Sequence, residues 1–335
     1  MTPTDLISTF VKDKLNGDIN RLATFPLCSL RNDKTYGCPE RKFDSDDTEL
    51  MRAIYCVVFG ETWKNLSMDN VGCGKLRGDT LNTYNTLFSP PWKESFISIW
   101  NPDEGLVTKI KTFHVTAYTI GNMVVLPDRR IGEWSINKHR GCHDDWHDYE
   151  DRFLEALHKV LTKQDDRDLD LEELVQLNND DFEPFYGEKG WRRFIDGNML
   201  KYYVDDDYQP VISSKGYTFW RGGYTNRGRF FEECYRYIDF STEVINDRAK
   251  RMIEKIKQRL KITGDTSIRP FIEPIGNEYP SYKEYVNSQY LDSDIICLKL
   301  MRGEREPQNE EEKLWKQELN EMKSKGQEPD IFWFD

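Results

Sequence analysis

Residues 243–261 place Ile245, Ala249, Met252, Ile253, Ile256 and Leu260 at intervals of three and four, which gathers them on one face of an α-helix. The same period recurs at 4–15, 47–66, 143–161, 170–177, 189–204, 281–301 and 311–325. A chain with so many one-sided stripes has to pack helix against helix, above all in its second half. The middle departs from this. Residues 95–100, 107–119, 123–126 and 131–136 are rich in β-branched and aromatic side chains and predict strands. The expected fold is α+β, with a central β-rich core at about 94–136 wrapped by helices and a helical C-terminal half. One compact domain over 1–335 is expected, with the acidic stretch 163–171 as the candidate sub-boundary.

Mean hydropathy is −0.75, yet 13% of residues are aromatic. Disordered chains lack aromatics, so the pair of values implies an aromatic core under a charged surface. No run approaches the roughly 18 apolar residues of a membrane span. The N-terminal MTPTDLISTFVKDKL has neither the basic start nor the apolar block of a secretory signal. Seven cysteines are scattered with no C-x-x-C, which argues for free thiols and against a disulfide framework. The expectation is a cytoplasmic protein with no membrane partner.

Net charge is −12, which repels phosphate backbones in general. The charge is uneven. Residues 215–261 hold twelve basic side chains, among them Arg221, Arg248 and Arg251, against six acidic ones. Aromatics interleave them at Phe219-Trp220-Arg221, the combination that holds phosphates and stacks bases. This segment is the expected contact for a nucleic acid or nucleotide. The alternative is a basic helix that pairs with acidic stretches of the same chain.

Three polar runs can carry chemistry. In Arg77-Gly78-Asp79-Thr80-Leu81-Asn82, the Arg, Asp and Asn side chains can fix an anion or a ribose, or Asp79 or Thr80 can cap a helix over 81–88. Asn122 follows Gly121 inside an apolar run, where it can point into a site or satisfy a buried turn. The densest run is Asn137 to Phe153. His143, His147 and Asp151 follow at i, i+4 and i+8 on one polar helix face, and His at i and i+4 lets two imidazoles share a metal, so a divalent metal is a candidate cofactor with these residues as candidate ligands. No H-E-x-x-H occurs. Arg140, directly before Gly141 and this helix, can hold an anion or lock the loop through a buried carboxylate. No Walker loop, dinucleotide fingerprint, nucleophile elbow or kinase set is present.

From Tyr118 to about Leu161 the chain resembles a bacterial family known only as a domain of unknown function. The resemblance rests on Thr119-Ile120-Gly121-x-Met123 through Pro127, on Ile136-Asn137-x-x-Arg140-Gly141 and on Asp151-Arg152-Phe153. Arg140 and His147 stand in an R-x(6)-H spacing similar to all-helical ribonucleases of bacterial defence and toxin systems. That likeness implies Arg140 on phosphate and His147 in acid–base work. The Ile120-Gly121-Asn122 run is faintly similar to HNH-type nuclease modules of restriction systems, although His114 is the only histidine before it.

Two functions follow as expectations. One is an enzyme on nucleic acid or nucleotide in bacterial defence or a toxin-like role. Its catalytic residues are Arg140, His143 and His147, and its ligand contacts Arg77, Asp79, Asn82, Asn122, Asn137, Arg221, Arg248 and Arg251. The alternative is a non-catalytic ligand-binding or regulatory protein built on the same loops.

Overall fold

The computed structural model describes residues 1–30, 33–37, 48–71, 75–82, 109, 113, 115–142, 149–214, 227–263, 300, 303 and 305–324. Helix α1 (Pro3–Lys14) opens on a capping box in which Thr2 and Asp5 exchange bonds, with Pro3 at the first position. It stops at Leu15, beyond which Asn16 and Gly17 take left-handed backbone. Helix α2 (Glu49–Phe59) begins under the Thr48 cap. Strand β1 (Leu76–Thr80) and strand β2 (Met123–Pro127) follow, then α3 (Ile136–Cys142), α4 (Glu150–Leu161), α5 (Leu169–Leu177), the single turn α6 (Asn179–Phe182) and α7 (Gly187–Gly197). Helix α8 (Arg227–Leu260) has 34 residues, about 50 Å at the usual rise, and α9 (Glu310–Ser324) comes last.

The α+β class is as expected, but the β-rich centre is smaller than the composition suggests. Among the described residues the sheet is β1 paired antiparallel with β2, Thr80 opposite Met123 and Leu76 opposite Pro127. Phe113 and residues 115–117, inside the predicted strand 107–119, are helical. The predicted strand 131–136 is a tight turn, Ile131 and Trp134 exchanging backbone bonds of 2.9 and 3.0 Å, that runs into α3. Its alternating pattern mimics a strand, but Gly132 takes a positive φ of 59° and folds the chain back. The candidate strand 95–100 lies outside the described residues, as do most of 281–301 and the 143–148 part of the predicted helix 143–161. The stripe read at 243–261 belongs to a helix that begins at Arg227, and the helix read at 189–204 ends at Gly197 before a short 3₁₀ turn. Among the described residues no helix is long and apolar enough to cross a membrane.

Helix α8 is the spine. Val244, Ile245, Ala249, Met252, Ile253 and Ile256 are buried, and the 3₁₀ turn Ile120–Asn122 packs on them. Gly121 permits this approach: a Cβ there would overlap the Ile245 carbonyl oxygen and stand 2.8 Å from the Ala249 Cβ. The far end of α8 is tied to α2, with Lys255 Nζ donating to the Val58 carbonyl at 3.2 Å and Arg259 ion-paired to Glu61. The aromatic excess gathers around Trp63, whose ring meets Phe182, Phe185 and Phe194 edge-on at 5.2–6.1 Å between centroids. The buried core runs from Leu6 to Ile256 and draws residues from both sides of 163–171.

His158 of α4 lies inside this core, its ring 4.9 Å from that of Trp191. Burial holds its pKa below the ordinary 6.5 and outweighs the attraction of Glu188, 3.8 Å away. The folded chain therefore binds this proton less tightly than the unfolded chain. The stability it contributes is complete above the unfolded value and is lost as pH falls below it. Urea midpoints measured from about pH 7 down to about pH 5.5 should fall, and His158→Gln should remove part of that fall.

Candidate functional site

The sequence-predicted centre begins where the two strands end. Past Thr80 the register sets Leu81 against Asn122, and Leu81 N donates to the Asn122 carbonyl at 2.6 Å. The Asn122 side chain then imitates a strand. Its Oδ1 accepts from Asn82 N at 2.8 Å, and its Nδ2 donates to the carbonyls of Asn82 at 2.7 Å and Ala117 at 2.9 Å. Asn82 Oδ1 in turn accepts from the Tyr203 hydroxyl at 2.8 Å and from Ser241 Oγ at 3.3 Å. Burial raises the Tyr203 pKa well above the ordinary phenol value and nearby Glu150 raises it further, so the hydroxyl stays a donor.

Arg140 sits beside this pair and is 1% exposed. Its Nη2 donates to Asp79 Oδ2 at 2.8 Å and to the Thr80 carbonyl at 2.9 Å. Its Nη1 donates to Glu150 Oε2 at 3.0 Å and to the Leu81 carbonyl at 3.2 Å. One guanidinium from α3 thus holds the end of β1 and the first turn of α4. Glu150 is as buried as Arg140, whereas a third of the Asp79 side chain reaches solvent. This is the loop-locking version of Arg140, with two carboxylates.

Arg248 is a second buried guanidinium, with no exposed surface. It donates to the carbonyls of Gly121, of Met123 at 2.9 Å and of Asn198 at 3.3 Å. Asn198 caps the C-terminus of α7, where carbonyls lack helical partners. Desolvation lowers the Arg248 pKa to about 10, so the charge persists at neutral pH. The reading of Arg248 as a surface contact is therefore corrected: its donors face inward because the residue lies on the buried stripe of α8. Arg251 is partly exposed and paired with Asp247 at 2.6 Å.

Asp151, expected as a metal ligand, serves a different partner. Its oxygens accept from Ser213 Oγ at 3.0 Å, Ser214 N at 2.7 Å and Ser214 Oγ at 2.9 Å, and Arg152 Nε also donates to Ser214 Oγ at 3.0 Å. Asp151 and Arg152 thereby clamp the 213–214 turn. His143, His147 and Arg221 lie outside the described residues. Among those described, no group of three or more His, Cys, Asp or Glu is placed to hold a metal. Arg77 is exposed on β1, and the Asn137 amide is inaccessible without a hydrogen-bond partner.

Asp79, Asn82, Asn122 and Arg140 thus converge, and Glu150, Tyr203, Ser241 and Asn198 join them without having been singled out by the sequence. The predicted helix 143–161 would put Glu150 in its interior, whereas α4 begins at Glu150 and so places this acid at a helix N-terminus.

Residues 92–252 match the model of a family of unknown function, DUF6994. The match includes the whole Tyr118–Leu161 stretch that carries the resemblance seen in the sequence. No curated protein and no solved structure matches. The likeness to HNH-type modules is not shown by these comparisons.

Arg140→Ala should strand the Glu150 carboxylate in the interior and cost roughly 3–5 kcal/mol. Arg140→Lys should recover only part of this, since an ammonium cannot reach four acceptors as a planar fork does. Thermal melting of both variants beside wild type measures the two losses.

Proposed function

We propose that this chain is a non-catalytic binding or regulatory protein rather than an enzyme acting on nucleic acid or nucleotide. One observation carries the reading: the two terminal nitrogens of Arg140 each make two hydrogen bonds inside the protein. A phosphate arriving there would have to displace Asp79 or Glu150. Asn82, Asn122 and Asp151 are engaged in the same inward manner. The groups that would grip a substrate instead hold the elements together.

The basic segment supports the same reading. A surface that follows a phosphate backbone needs accessible cations. In α8, Arg248 and Lys257 are buried, Lys255 donates to the Val58 carbonyl, and Arg251 and Arg259 are ion-paired within the chain. Two of these cations meet carboxylates of the same chain, and Arg248 and Lys255 meet its main-chain carbonyls. The free thiols of Cys56 and Cys234 support the expected cytoplasmic setting.

The test is turnover. Wild type and a His143→Ala/His147→Ala double variant are incubated with single-stranded RNA, single-stranded DNA and nucleoside triphosphates, with magnesium or manganese. Product should not rise above the protein-free control for either protein. Turnover by wild type that is lost in a double variant of unchanged melting temperature would overturn the proposal.

A further inference from the structure

Helix α5 is pinned at its N-terminus to α3 and at its C-terminus to the segment between β2 and α3. At its N-terminus, Asp168 Oδ1 accepts from Leu171 N at 2.9 Å and its Oδ2 accepts from His139 Nε2 of α3 at 3.0 Å. At its C-terminus, the Asn178 amide and the Arg129 backbone exchange bonds of 3.1 and 3.3 Å, while Arg129 Nη1 donates to the Leu177 carbonyl at 3.3 Å. Leu171, Leu174 and Val175 face the core. The opposite face leaves Leu169 67% exposed and Leu177 38% exposed. Alongside it, the 131–134 turn holds Trp134 46% exposed and Ile131 38% exposed. A half-exposed tryptophan on a tight turn, its ring 5.2 Å from Lys138 Nζ, beside a helix with two exposed leucines is the kind of anchor that dominates protein–protein contacts.

The charges around these side chains say what fits. Asp170 and Glu173 are exposed between Leu169 and Leu177, and among the described residues they have no ion-pair partner. The neighbouring cations are already engaged: Arg129 with Asp180, Arg130 with Asp128, and Lys138 with Glu133. Residues 163–214 as a whole carry fourteen acidic side chains against six basic ones. We propose that the outer face of α5 and the 131–134 turn form a docking surface for a basic amphipathic helix of another protein. Its apolar stripe would cover Leu169, Leu177 and Trp134, and its lysines or arginines would meet Asp170 and Glu173. A second copy of this chain is disfavoured, because it would bring the same acidic stretch against itself.

The inference rests on the reading of the chain as a binding protein. It is tested by calorimetric titration of the full chain with two synthetic 15-residue helices. One carries leucine on one face and lysine on the other, and its counterpart has glutamate in place of lysine. The lysine helix should bind with a dissociation constant of about 10 µM or tighter. Trp134→Ala, and separately Asp170→Lys/Glu173→Lys, should each weaken it at least about tenfold without changing the melting temperature. The glutamate helix should not bind. The surface is overturned if the lysine helix fails to bind, or if it binds wild type and both variants alike. It is also overturned if sedimentation shows a dimer that Trp134→Ala returns to monomer, since the occupant is then a second copy. Turnover that needs His143 and His147 would overturn the functional reading and leave this surface standing, whereas binding indifferent to Trp134 removes the surface alone.

Discussion

A guanidinium can remain inside a protein only if anions or carbonyls arrive with it, and Arg140 imposes that condition on everything around it. Its partners come from β1, from the turn after β1 and from α4. Meeting the charge therefore fixes three segments at once. Strand β1, Leu-Arg-Gly-Asp-Thr, has little strand propensity of its own. It is extended because Arg140 holds its last two residues, Asn122 clamps the turn beyond and β2 pairs along its length.

From this point the polar network passes into the spine. Asn82 joins the strand end to Tyr203 and to Ser241 of α8, and one turn-pair further along α8, Arg248 gathers carbonyls from Gly121, Met123 and Asn198. The two arginines solve the same problem differently. Arg140 is neutralised by carboxylates, which makes it sensitive to the loss of either partner. Arg248 sits among main-chain dipoles and, among the described residues, has no counter-ion in contact. The family-like signature acquires a physical meaning here. Gly121 is the close approach to α8, Asn122 the strand-end clamp, Arg140 the central lock, and Asp151 with Arg152 the hold on the 213–214 turn.

Periodicity made most of the helices legible, because burial on one face leaves a mark in the order of residues: α1, α2, α4, α5 and α9 lie close to where their stripes or caps put them. Strands were harder. Leu76–Thr80 carries no strand pattern because tertiary bonds, not its composition, extend it, and Ile131–Ile136 alternates like a strand although Gly132 turns it. Within the site, Asp79, Asn82 and Arg140 belong to polar runs and Asn122 to an apolar one. A sequence does not show whether such groups face a ligand or the main chain, so both readings stayed open. Arg248 looked like surface charge within a basic run. Its position between Ile245 and Met252, on the buried stripe, points it inward.

The central claim is that these arginines are structural and out of reach of solvent. Phenylglyoxal modification of the native chain, followed by peptide mass spectrometry, measures that directly. Arg77, Arg192 and Arg193 are exposed and should react at the pace of free arginine, whereas Arg140 and Arg248 should react only after denaturant unfolds the chain. Modification of Arg140 in the folded protein as fast as Arg77 would contradict the account.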